Sequence, residues 1–260
     1  MKKIIMALSV LVLASLACTI DVPLPLETVE IGELETYTIR EEQVSGDGPF
    51  EMTISMGVGE LSIKPGADAW LEGTIKYNVN QFKPEIEKAS DSLTLSQKVQ
   101  WDNKVPTNLN EIINAWDLSL GNVPTDLTIN AGAYNGVVDL SGVPLSGLTI
   151  NDGASNATVR FDEINPVTMD SLTYRTGASN VNLEGLANAN FRSMVFTGGA
   201  GGYKLDFSGE LQRAANVKIE GGVSNIKIIV PTGTTCDVTI NGSLNNVTVH
   251  GDWESRSDGY

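Results

Sequence analysis

The 260-residue chain is predicted to be all-β: a single-stranded, right-handed parallel β-helix-like solenoid with an irregular β cap at its N-terminal end. Its coils are expected to be about 22 residues long, within the range of known repeat architectures. Three observations predict this. Apolar and polar residues alternate over short stretches, Gly and Asn return at fixed offsets, and the whole pattern occurs six times.

The six segments start at Leu127, Leu148, Leu172, Met194, Val217 and Val238, 21 to 24 residues apart. Five residues after each start stands Gly132, Gly153, Gly177, Gly199 and Gly222, with Gly242 one place early in the sixth. Eight residues after each start stands Asn135, Asn156, Asn180, Gly202, Asn225 and Asn246. Alternation then resumes, as in Val181/Leu183 and Ile226/Ile228. Period-2 patterning on both sides of the Gly/Asn motif predicts two short strands per repeat, each with one buried face. Gly and Asn reach positive φ at low cost, so they are expected to form the turn between those strands. The stacked Asn column is expected to make a side-chain hydrogen-bond ladder.

A unit this short cannot bury its own apolar face, whereas stacked copies share a continuous core. Strands of a β-sandwich also alternate, but nothing in a sandwich requires the same Gly and Asn at the same offset in every copy. The right hand follows from parallel crossovers, about 98% of which are right-handed.

Upstream, Met52-Thr53-Ile54, Gly57, Leu61 and Ile63 read as a degenerate further copy within an N-terminal β region, residues 36–126. The repeats occupy 127–251, and a polar tail, 252–260, ends the chain. Residues 1–17 read as a signal peptide: Met1-Lys2-Lys3, then an uncharged run from Ile4 to Ala17 too short to span a bilayer comfortably. Ala17-Cys18 resembles a bacterial lipoprotein signal, cut before a Cys that is then acylated, although Ser15 and Leu16 reverse the usual order. An ordinary secretory signal cut near Ala17 is the alternative. On the lipoprotein reading, 18–35 is a lipid-anchored tether and the membrane is a partner through Cys18.

Composition narrows the function. With 32 acidic against 17 basic residues, a net charge of -15 disfavours nucleic acid as a partner. One His and two Cys leave little for His-based catalysis or Cys/His zinc sites, so neither cofactor nor metal is expected. His250 is expected at the surface. Cys236 shares the parity of Val238 and Ile240 and is expected to point inward. Arg160 with Asp162, and Lys204 with Asp206, are the candidates for a polysaccharide-cleaving site, but alternating opposite charges on a solvated strand need no catalytic role. Asp139, Asp162, Asp206, Asn151 and Asp152 offer oxygen ligands for Ca²⁺ without any calcium-binding repeat. Tyr134 stands where three other copies have Ser, and is expected to face outward as a ligand contact.

Trp116-Asp117-Leu118-Ser119-Leu120, then Pro124, Leu127 and the Gly-Ala-Ser-Asn motifs at 153–156 and 177–180, resemble the toast rack family of bacterial envelope proteins. That family is kin to adhesin-type β-solenoid domains. The resemblance implies an envelope location and supplies no catalytic residues. Together with the repeats it points to a non-enzymatic module that binds protein or polysaccharide. An envelope-stress signalling or assembly module contacting a membrane partner is the alternative, and a polysaccharide-acting enzyme is less favoured.

Overall fold

The computed structural model describes residues 29–43, 50–97, 109–241, 246–254 and 259. The expected signal peptide, Cys18 and most of the expected tether lie outside them. Twelve strands form one sheet: β1 (Glu35–Glu41), β2 (Phe50–Ala67), β3 (Leu71–Tyr77), β4 (Pro84–Lys88), β5 (Ser92–Gln97) and β6 (Asn114–Gly121) come first. Then follow β7 (Thr125–Asp139), β8 (Leu145–Arg160), β9 (Met169–Glu184), β10 (Phe191–Asp206), β11 (Asn216–Gly221) and β12 (Ser224–Ile229).

β2, β7, β8, β9 and β10 pair successively in parallel, and β11 and β12 both pair with β10. The register follows the repeat. Leu127 stands beside Leu148, Leu148 beside Leu172, Leu172 beside Met194 and Met194 beside Val217. Met52 stands beside Leu127, which puts the degenerate copy in line with the rest.

Chain length explains how such strands connect. A straight 15-residue strand would be about 50 Å long, and the short link 140–144 between β7 and β8 reaches no more than about 20 Å. Yet Leu145, the first residue of β8, pairs with Thr125, the first residue of β7. Each long strand must therefore bend back on itself before the next begins. The burial pattern locates the bend: Leu148, Ile150 and Asp152 face in, Gly153 and Ala154 both face out, and Ala157 and Val159 face in. Four repeats thus run as one continuous bent strand rather than the two expected; the fifth divides, at Gly222 and Val223.

The core consists of stacked like residues. Leu127, Leu148, Leu172 and Met194 form one column, and Ile54, Ile129, Ile150, Tyr174 and Phe196 another, all at most 2% exposed. Each such apolar side chain contributes roughly 1.5–3 kcal/mol by leaving water.

The N-terminal region covers the outer edge of β2 in two parts. β5, hairpinned with antiparallel β4, pairs with Glu51–Ser55, and β6, followed by antiparallel β3 and β1, pairs with the second half of β2. Between the parts, Gln97 and Asn114 exchange amide hydrogen bonds of 2.9 and 3.0 Å, while Asn114 Nδ2 donates to Val58 O at 2.6 Å. These amides satisfy backbone where the outer edge of β2 has no strand neighbour.

At the other end β11 and β12 form the sheet edge. Residues 238–241 and 246–249 of the sixth repeat carry no strand, and their one β contact among the described residues is an isolated bridge from Thr239 to Gly259. A turn follows β12, closed by Thr234 N donating to Pro231 O, with Gly233 at φ 88°. Cys236 is exposed rather than inward, in a stretch, 231–238, that carries no strand.

Candidate functional site

The repeated glycines are required, but for a reason other than the expected one. Gly132, Gly153, Gly177, Gly199 and Gly222 all lie outside the positive-φ set, and the non-Gly member of that set is Asn190. Their constraint is close stacking. A Cβ on Gly132 would lie 2.5 Å from Gly57 O, on Gly153 2.6 Å from Gly132 O, and on Gly177 2.4 Å from Gly153 O. The same contact recurs from Gly199 to Gly177 O at 2.3 Å and from Gly222 to Gly199 O at 2.6 Å. These residues are spacers between coils, not positive-φ turns.

The asparagine column also differs from expectation. Asn135, Asn156, Asn180, Gly202 and Asn225 stand in register, with their side chains outward, and no side-chain hydrogen bond runs along them among the described residues. Asn246 is exposed and unstacked. Amides that do bridge coils sit elsewhere. Asn151 Nδ2 donates to Asn130 Oδ1 at 3.0 Å, and buried Asn165 brackets Leu145, accepting from its N at 3.1 Å and donating to its O at 2.8 Å. Asn188 and Asn190 donate likewise to carbonyls of the preceding coil.

Tyr134 faces inward at 4% exposure, which corrects its assignment as an outward ligand contact. Because Gly132 and Ala133 both take outward positions, the alternation shifts and the following residue turns in. There it meets a buried carboxylate. Asp152 accepts hydrogen bonds from Tyr174 Oη at 2.7 Å, Ser155 Oγ at 3.0 Å, Ser179 Oγ at 3.3 Å and, closest, the Thr176 hydroxyl. Four hydroxyl donors replace the water that a buried carboxylate loses. The Tyr134 hydroxyl lies beside that of Tyr174 without a well-formed hydrogen bond to it. Burial, with the Asp152 charge nearby, pushes its phenol up to about 12. Tyr174 is pushed up too, first by burial and then by its charged and phenolic neighbours.

The candidate binding surface is the outer face of β8, β9, β10 and β12. Two outward columns run side by side: the Asn column, and Thr158, Asn182, Lys204 and Lys227. A shallow groove of about 450 Å³ crosses them. Lys204 Nζ lies 3.3 Å from Glu184 Oε1 and 3.5 Å from Asp206 Oδ2, whereas exposed Lys227 has no ion pair among the described residues. Two coils before Lys204, Arg160 Nη2 meets Asp139 at 2.6 Å, and its Nε lies 3.6 Å from Asp162. Partial burial raises the Asp139 carboxyl, but hydrogen bonds from Arg160 and Ser141 outweigh it and hold the group below its ordinary value. Asp206 is lowered likewise, with Ser208 and Lys204 overcoming burial. Such carboxylates stay ionised and are poorly tuned as general acids near neutrality.

Among the described residues no group of three or more His, Cys, Asp and Glu is placed to hold a metal ion. His250 is exposed. Within the same residues, no helix is long and apolar enough to cross a membrane.

The family model for the N-terminal domain of toast_rack matches residues 30–170 and 164–229. The chain belongs to the toast rack family. Its family match ends with β12, so the sixth repeat lies beyond it. No curated protein matches the chain in sequence. Among solved structures, a candidate cell adhesion protein from Clostridium sporogenes ATCC 15579 is 19% identical, covers 75% of this chain and 98% of its own, and superposes with a TM-score of 0.56. Candidate adhesins from Bacteroides fragilis NCTC 9343 and Parabacteroides merdae ATCC 43184 are 14% and 11% identical, with TM-scores of 0.28 and 0.26. The first covers 76% of this chain and 97% of its own, the second 76% and 96%. The Clostridium likeness shows the fold.

Proposed function

We propose that this toast rack protein is a non-enzymatic adhesion or binding module of a bacterial cell envelope. It is a right-handed β-solenoid with coils of about 22 residues, held to the membrane by an acylated Cys18. The observation that carries this reading is the pair of outward columns, Asn156 to Asn225 and Thr158 to Lys227, which stacking lines with amide, hydroxyl and amine groups across successive coils, broken at Gly202. A stiff stack presents such columns at about 4.8 Å intervals, a spacing suited to an extended partner. The structural neighbour described as a candidate cell adhesion protein supports the same reading. Protein and polysaccharide are the partner classes such a face serves.

The test is retention of intact bacterial cells and purified polysaccharides on the immobilised chain, compared with the triple variant Asn156→Ala, Asn180→Ala, Asn225→Ala. Retention by the wild type and its loss in a folded triple variant is the expected result. Equal retention by both would remove this face from the account.

A further inference from the structure

We infer that the groove over Gly202 is a binding site for an uncharged saccharide, resting on the reading of the outer face as a binding surface. The site arises from one departure in the repeat. Asn135, Asn156, Asn180 and Asn225 occupy the column, but β10 puts Gly202 there, in register with Asn180 on one side and Asn225 on the other. The missing side chain leaves a notch two strand spacings wide, about 10 Å between the flanking backbones, and the Asn180 amide leans over one side of it. Backbone geometry does not demand the glycine: Gly202 has no positive φ, and a Cβ there would meet only Asn180 Oδ1, at 3.1 Å. This sets it apart from the neighbouring Gly201, at φ 143° and with Ser179 O 1.8 Å from its Cβ position.

The lining chemistry selects the ligand. Amides of Asn156, Asn180 and Asn225 each offer donors and an acceptor toward the notch walls, and Thr158 adds a hydroxyl. Asn182 gives its Nδ2 to Glu184 at 2.6 Å and keeps Oδ1 buried without a hydrogen-bond partner. Groups that both donate and accept, closely spaced on a ring, match these walls; sugar hydroxyls are such groups. The charge balance argues against an anionic sugar. Lys204 is engaged by Glu184 and Asp206, and Lys227 is the groove's cation without an ion pair among the described residues, on a chain of net charge -15. An apolar peptide anchor would need a hydrophobic pocket at the centre of its interface, and the outward side chains here are amides, a hydroxyl and amines.

The decisive variant is Gly202→Asn, which restores the column's own residue and fills the notch. The full chain and this variant are titrated with neutral oligosaccharides (cellohexaose, maltohexaose and chitohexaose) by saturation-transfer NMR and calorimetry, with hyaluronan and alginate as acidic controls and the cell-retention assay alongside. The expected result is binding of at least one neutral oligomer, weakened tenfold or more in Gly202→Asn, with an unchanged circular dichroism spectrum. Asn182→Ala, which keeps the notch open, should weaken it less. If Gly202→Asn binds the neutral oligomer as well as wild type does, the groove is not the site. A preference for the acidic polymers overturns the assignment of ligand class. Cell retention without any saccharide binding overturns this inference and leaves the adhesion reading intact, while loss of both removes the reading itself.

Discussion

A Cβ on Gly177 would lie 2.4 Å from the carbonyl oxygen of Gly153 in the coil beneath, closer than any relaxed contact allows. The same relationship links Gly57, Gly132, Gly153, Gly177, Gly199 and Gly222 into one column, so a side chain at any of these steps pushes two coils apart. Gly177→Ala should therefore destabilise by about 1–3 kcal/mol through overpacking. Gly202→Ala, whose Cβ meets only the end of a flexible side chain, should stay within about 0.5 kcal/mol of wild type. Chemical denaturation of the two variants checks the contrast. Equal effects would show that close coil stacking is not what selects these glycines.

Asp152 is the acceptor for four hydroxyls inside the stack. Asp152→Asn replaces an acceptor oxygen with an NH₂ donor facing hydroxyl donors, and should cost about 1–3 kcal/mol. Asp152→Ala should cost more, since Tyr174 and Ser155 lose their acceptor outright and Thr176 keeps only Ser179 Oγ. Thermal unfolding of both variants reads the order, and a neutral Asp152→Asn would mean that the network adds nothing to stability.

The Tyr134 phenol predicts a specific alkaline response. Its pKa is pushed from 10.0 to about 12 by burial, so the unfolded chain ionises this group first. Stability from Tyr134 is complete below pH 10 and is lost as pH rises through the folded value, near 12. Tyr134→Phe should show a shallower fall in Tm across that window. Because the hydroxyl lacks a hydrogen-bond partner of good geometry, the same variant should match or exceed wild-type stability at pH 7. A marked loss at pH 7 would place a hydrogen bond on that hydroxyl.

Asn180→Ala should change stability by less than about 0.5 kcal/mol, since the side chain is exposed and joins no ladder. Asn165→Ala should cost more, because a buried amide then leaves both the N and the O of Leu145 without its side-chain partner. Urea midpoints for the pair separate the two asparagine roles, and the reverse order would contradict them.

The register of the sheet was legible because it is written in like residues: Leu127, Leu148 and Leu172 recur at spacings that the strands obey. The stacking of the Asn column in register was legible for the same reason. The bend was harder to read. Sequence patterning suggests a turn at positive φ, whereas two successive outward residues, such as Gly153 and Ala154, shift the alternation inside a continuous strand. That shift turns Tyr134 and Ser179 inward and builds the Asp152 network, which no local period announces. The amides of Asn165, Asn188 and Asn190 lie in connections of irregular length, where a fixed-offset search has no purchase. Cys236 and the sixth repeat follow the sequence pattern but not the sheet, since pattern alone does not seat a coil on its neighbour.

The central claim is that this chain holds an extended polar partner without transforming it. The most direct measurement incubates the full chain with intact bacterial cells and with neutral and acidic polysaccharides, recording the bound fraction together with product release by mass spectrometry. Saturable retention with polymer lengths and end groups unchanged is the predicted result. Release of shortened or unsaturated products, or no retention of any of these partners, would contradict the account.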